Sequence, residues 1–218
     1  GLSKMVFAGN QYLSDYAMQF NKNVKIIPTT IDTEYHKKNV SLFKKDRICI
    51  GWTGSITTIK HFRMAESFLE KLKNKYGERI YFKLVGSNSY ENPELQLKGT
   101  MWCLDTEIKD IEEFDIGIMP LPDDEWAQGK CGFKGLQYMA MEIPTVMSPV
   151  GVNNEIIIDG FNGYLAATKD EWITKLSALI ESEELRAKLG SNGRKTVIEK
   201  YSVESQKYKY LEFFNELL

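Results

Sequence analysis

Short apolar runs alternate along this chain with longer segments of helical spacing, and no other feature narrows the fold as far. MVFA (5–8), VKII (24–27), RICIGW (47–52), IYFKLVG (80–86), MWCL (101–104), DIGIMPL (115–121), TVMSPVG (145–151) and GYLAA (163–167) each have strand length. Between them, residues 12–20, 59–77, 107–114 and 129–144 carry helical patterns. Ile59, Phe62, Ala65, Phe68, Leu69 and Leu72, for example, repeat at the spacing of one helix face. Buried strands joined through helices need crossover connections. The expected architecture is therefore α/β, a Rossmann-like parallel sheet with helices on both faces. Thr168 and Glu171 spell a capping box, and from there the pattern predicts a helical C-terminus to Leu218, with Ser182 and Ser202 as further caps. The polar, lysine-rich segment 32–46 predicts a connector.

Composition excludes several classes. A net charge of −2 over 218 residues argues against a nucleic-acid protein held by bulk electrostatics. No apolar run approaches the roughly 20 residues that span a bilayer, so no transmembrane segment is expected. Cys49, Cys103 and Cys131 are scattered and odd in number, which fits a reduced, cytoplasmic protein. A strand after only four residues predicts a piece of a longer protein.

In sheets of this kind ligands sit beyond the carboxyl ends of the strands. Three loops qualify: TGSITT (53–58), GSNS (86–89) and PDDEWAQGKCGF (122–133). On a helix over 129–144, Lys130, Lys134 and Gln137 share one face, and Phe133, Leu136, Met139 and Ala140 form the apolar stripe opposite. Lysines in the first turns oppose the helix dipole unless an anion sits there. Gly129 and Gly132 leave the backbone accessible to such an anion. The first loop has the same logic: Gly51 and Gly54 permit close approach, Ser55, Thr57 and Thr58 supply hydroxyls, and Lys60 adds a cation. The two clusters are expected to face one another across a diphosphate. Asp123, Asp124 and Glu125 are read as solvated loop residues rather than metal ligands, and His36 and His61 have no partner at zinc spacing. Trp52 and Trp126 are read as packing residues.

The run KCGFKGLQYMAMEIPTVMSPVG (130–151), with NEIIIDGFNGYL (154–165), resembles the C-terminal domain of group 1 (GT4-like) glycosyltransferases, which have the GT-B fold. The likeness extends over most of residues 47–218, and residues 5–35 resemble the end of the acceptor-binding domain in that family. The resemblance implies residues 1–40 as a remnant of that domain with its connector, and 41–218 as a sugar-nucleotide donor-binding domain. It implies a nucleoside-diphosphate sugar (UDP or GDP), a retaining hexose transfer without metal or other cofactor, and an unidentified acceptor, glycan or lipid-linked. It also implies a cytoplasmic protein, at the inner face of the membrane if the acceptor is a lipid. The family's two motif glutamates fall on Gly129 and Gln137, and its loop Arg and Lys fall on Ser55 and Lys60. Lys130 or Glu125 would substitute at the donor sugar. The expected site is then Lys130 and Lys134 for catalysis. Gly54, Ser55, Thr58, Lys60, Gly86, Ser87, Gly132, Phe133 and Gln137 would bind the nucleotide sugar. The rival readings are an inactive nucleotide-binding or interaction domain, and a GT-B sugar-nucleotide epimerase.

Overall fold

The computed structural model describes residues 3–38 and 46–218, so the expected boundary at residues 40 and 41 lies outside the described residues. The chain opens with a small βαβ unit: parallel strands β1 (Val6–Ala8) and β2 (Val24–Ile26) joined through α1 (Gln11–Met18). Asn10 starts α1 by accepting the Leu13 amide on its Oδ1 at 2.9 Å.

The larger sheet begins with β3 (Ile48–Thr53), which runs through a 3₁₀ turn (Ile56–Thr58) into α2 (Ile59–Arg63), α3 (Glu66–Tyr76) and β4 (Ile80–Val85). A short antiparallel hairpin of β5 (Glu91–Asn92) and β6 (Leu97–Lys98) follows, then α4 (Glu107–Glu112) and β7 (Ile116–Met119). Next come α5 (Glu125–Gln128), α6 (Phe133–Ala140), β8 (Thr145–Met147), α7 (Asn153–Ile156) and β9 (Tyr164–Leu165). The helices α8 (Lys169–Glu181), α9 (Glu183–Lys200) and α10 (Val203–Asn215) complete the chain.

The five strands lie in the order β4-β3-β7-β8-β9, with every neighbouring pair parallel. The chain goes outward from β3 to β4, then returns to the far side of β3 to lay down the rest. That reversal opens a crevice between the carboxyl ends of β3 and β7, where such sheets bind ligands.

Both faces of the sheet are covered, and β3 shows why its sequence is apolar throughout. Ile50 and Trp52 enter the core shared with α2, α3 and α8, while Cys49 enters the opposite core with Phe114 and Tyr138. Gly51 lies under Phe114, whose ring would be 2.1 Å from an added Cβ. The helical C-terminus follows its caps. Thr168 Oγ1 accepts from Glu171 N at 3.3 Å, Ser182 Oγ from Leu185 N at 3.1 Å, and Ser202 Oγ from Ser205 N at 2.9 Å. The last helix, α10, returns to the first unit, where Phe7 packs against the rings of Tyr210, Phe213 and Phe214.

Three expectations are corrected. The helix over 59–77 is broken at Met64 and Ala65, where the backbone tightens to i−3 bonds (Met64 N to His61 O, 3.3 Å; Ala65 N to Phe62 O, 2.8 Å). MWCL (101–104) is not a strand, since β4 is met at its end only by a single bridge from Thr100, leaving Met101, Trp102 and Leu104 exposed. The helix over 129–144 shrinks to α6, because a left-handed Gly132 (φ 69°) starts it and Asp124 caps the separate α5 through Ala127 N at 2.7 Å.

Helix α9 presses a glycine against the turn after α6, where a Cβ on Gly190 would lie 2.0 Å from the Glu142 carbonyl oxygen. Alanine is the better helix former by about 1 kcal/mol, so the sign of Gly190→Ala is informative. Urea denaturation should show a loss of about 1–3 kcal/mol from overpacking. A neutral or stabilising effect would contradict this close crossing.

Candidate functional site

The crevice is built by one tyrosine. Tyr138 of α6 lies fully buried against Phe114, and its hydroxyl accepts the Thr53 amide at 2.8 Å while sharing a hydrogen bond with Thr53 Oγ1 at 2.9 Å. This joins α6 to the end of β3 across the topological reversal. Lys134 lies one helical turn before Tyr138 on the same face, so it is carried over the β3 loop, with its Nζ 6.0 Å from the centre of the Trp52 ring.

The β3 loop meets the β4 loop backbone to backbone. Gly54 N donates to Val85 O at 2.8 Å, and a Cβ on Gly86 (φ 140°) would lie 2.4 Å from Gly54 O. Glycine is required at 86 on both counts. Between these loops and α6 lies a cleft of about 570 Å³, a size ordinary for a small-molecule site. Its walls include Gly54, Ser55, Ile56 and Thr57 from the first loop and Gly86 from the second. Met101, Trp102 and Glu107 complete the wall together with Phe133, Lys134 and Gln137 of α6.

Cations gather at one end. Burial, and then repulsion from Lys130, push the Lys134 ammonium down to about 8. Lys130 is also lowered, by burial first and then by Lys60, with Asp124 opposing. His61, buried beneath them, is pushed down to about 4 by burial and by Lys130, Lys60 and Lys134. Its Nε2 has no hydrogen-bond partner among the described residues. Among those residues, neither Lys130 nor Lys134 forms an ion pair, and each contacts an aromatic ring instead. The lowered values have a physical origin in like charges brought together without a carboxylate in contact.

The structure brings Gly54, Ser55, Gly86, Phe133, Lys134 and Gln137 into the cleft wall. Lys60 and Lys130 stand near it as electrostatic neighbours of His61. Thr58 Oγ1 is engaged by its own turn, accepting from Ser55 N at 2.9 Å, and the buried Ser87 pairs with Ser89 at 2.8 Å. Gly132 is the left-handed start of α6. Lys130 precedes that helix, so the expected common face of Lys130, Lys134 and Gln137 is not formed. Gln137 is buried, not solvated, while Phe133, expected on the apolar stripe, is exposed. Trp52 is buried as expected, whereas Trp126 is 69% exposed and lies under the Lys130 ammonium at 5.4 Å. Sequence reasoning missed Glu107 and Trp102. The signal for them was the apolar MWCL run, mistaken for a strand. Among the described residues no group of three or more His, Cys, Asp or Glu is arranged to hold a metal ion, and no helix is long and apolar enough to cross a membrane.

The Lys134 charge works against folding. Its folded pKa lies below its ordinary value of 10.5, so the unfolded chain binds more protons between about 8 and 10.5 and stability rises with pH across that window. The penalty is in full force below about 8. Replacing the ammonium by Lys134→Met should raise stability at pH 7 by on the order of 1–3 kcal/mol, a gain that fades as the pH approaches 10.5. Paired urea titrations at the two pH values check this. A destabilised variant at neutral pH would contradict it.

Comparison with known proteins bears on the fold that carries this cleft. Residues 127–196 match the family model for glycosyl transferases group 1. An uncharacterized glycosyltransferase of Methanocaldococcus jannaschii is 40% identical over 65 residues, which is 29% of this chain and 18% of that protein. Among solved structures, TarM of S. aureus superposes with a TM-score of 0.77 at 21% identity, over 97% of this chain and 43% of its own. The Anabaena protein HepE, solved with UDP and glucose, gives 0.75 at 15% identity over 98% of this chain and 63% of its own. The chain thus spans less than two thirds of each of these proteins. Residues 127–196 thus match the group 1 glycosyltransferases, and the fold over nearly the whole chain is that of the C-terminal domains of GT-B glycosyltransferases.

Proposed function

We propose that the cleft binds a nucleoside-diphosphate sugar, with UDP or GDP as the nucleotide, and that this chain is the donor half of a retaining glycosyltransferase delivering a hexose to an acceptor. One observation carries the reading. Lys134 in the cleft wall and the neighbouring Lys130 both have their ammonium groups lowered, by burial and then by like charge, a cost that a bound anion would offset. The neighbouring structures support it, since HepE was solved with UDP.

Breaking a glycosidic bond to a diphosphate leaves a growing negative charge on the leaving oxygens. Lys134, in the first turn of α6, stands where both its ammonium and the helix start would meet that charge. Each charge-assisted hydrogen bond contributes on the order of 1.5–3 kcal/mol. The apolar walls of the cleft strengthen these interactions by excluding water.

A second reading, a nucleotide-binding domain without catalysis, is favoured by Gly129. A Cβ there would meet Leu13, Trp126 and Glu125 atoms no nearer than 3.5 Å, so packing does not demand glycine. The side chain is missing from the place where the family resemblance expects a carboxylate.

Calorimetric titration of the chain with UDP and with GDP tests the proposal. One of the two should bind, and Lys134→Ala should weaken that binding by about tenfold or more. Absence of heat with either nucleotide would contradict it. The chain alone is expected not to turn over donor, and sugar transfer by it at a steady rate would show that the acceptor side is complete.

A further inference from the structure

A buried amide and a carboxylate share the cleft wall about one helical turn beyond Lys134 along α6. Gln137 is 3% exposed, and both hydrogens of its amide are engaged. One faces His36 Nε2 at 3.1 Å and the other Glu107 Oε1 at 3.1 Å. His36 Nδ1 lies 3.2 Å from the Asp32 carbonyl oxygen, so that nitrogen carries the proton and Nε2 accepts from the amide. Glu107 Oε1 takes a further hydrogen bond from the indole Nε1 of Trp102 at 2.9 Å. Its other oxygen lies 3.8 Å from His36 Nε2, outside hydrogen-bond range. Glu107 lines the cleft, and its side chain is 12% exposed. It is a carboxylate held by these two donors, with the Tyr35 hydroxyl as a further neighbour, and it still forms part of the cleft wall.

We infer that Glu107 is the residue that reads ligand hydroxyls in this cleft, and that Gln137 is a positioning residue whose amide is needed because Glu107 already bears the negative charge. The inference rests on the nucleotide reading above and assigns a residue within it. A ligand with its phosphates at the lysines extends its ring hydroxyls away from them. A carboxylate in the cleft wall, with two oxygens and about four acceptor sites, can accept from such a hydroxyl, as on a ribose. A glutamate at 137 would set two carboxylates where an amide nitrogen now stands 3.1 Å from a carboxylate oxygen. One of them would have to move or take up a proton. The charge therefore sits on α4 instead of α6, and exchanging the two side chains should keep the site working.

The test is a titration with UDP and with 2′,3′-dideoxy-UDP of the wild type, Glu107→Gln, Gln137→Glu and the double exchange. The wild type should prefer UDP by about tenfold or more. Glu107→Gln should lose that preference while still binding the dideoxy compound, and the double exchange should regain most of it. Urea unfolding supplies a second readout, in which Gln137→Glu alone should be less stable than the double exchange. An unchanged preference in Glu107→Gln, or a Gln137→Glu protein as stable as the wild type, would overturn the assignment alone. Failure of the wild type to bind either UDP or GDP would overturn the nucleotide reading and this assignment with it. Should GDP be the one bound, the same series is run with GDP and its 2′,3′-dideoxy form.

Discussion

The hydroxyl of Tyr138, bonded to the last residue of β3, is the contact on which the cleft depends. It has a long reach into the sequence. Gly117 is small because an added Cβ would lie 2.4 Å from the Tyr138 ring, and Gly51 is small because Phe114, stacked edge-on against Tyr138, occupies its face. Two glycines in the central strands thus let two aromatic rings lie close on the sheet. The ring next to the reversal then anchors α6, and α6 places Lys134 and Gln137. Burial of a cation follows from this packing. The protein holds a half-buried ammonium at a cost to folding, and groups perturbed in this way cluster at functional sites.

Much of the fold was legible because its signals are local. The caps at Thr168, Ser182 and Ser202 depend on neighbours three residues away, and all three form as their sequence predicts. The strands of the large sheet were legible because burial on both faces leaves an unbroken apolar run, as in β3. The same rule misled at MWCL. A run that is apolar because it walls a cleft looks like one that is apolar because it is buried. Trp126 failed in the same way, since a tryptophan beside a cation cluster is written no differently from one in a core.

The site was half legible. Gly54 and Lys134 stood out because close backbone approach and misplaced charge are properties of short stretches. The roles of Glu107 and His36 were not, because they arise from contacts 30 and 101 residues from Gln137 along the chain. Helix α6 also started later than its periodicity implied. The left-handed turn at Gly132 moved Lys130 off the helix while leaving it close enough to depress both Lys134 and His61. Charge clustering therefore survived an error in secondary structure, since it depends on the crevice and not on a shared helix face.

The central claim is that the half-buried Lys134 ammonium awaits an anionic ligand, and proton linkage tests it most directly. Titration calorimetry with UDP at pH 8, repeated in buffers of different ionisation enthalpy, counts the protons taken up on binding. Because Lys134 is held at about 8 in the free protein, a diphosphate beside it should draw in up to about half a proton per ligand, and Lys134→Met should draw in none. Binding of UDP with no proton uptake by the wild type would contradict the account.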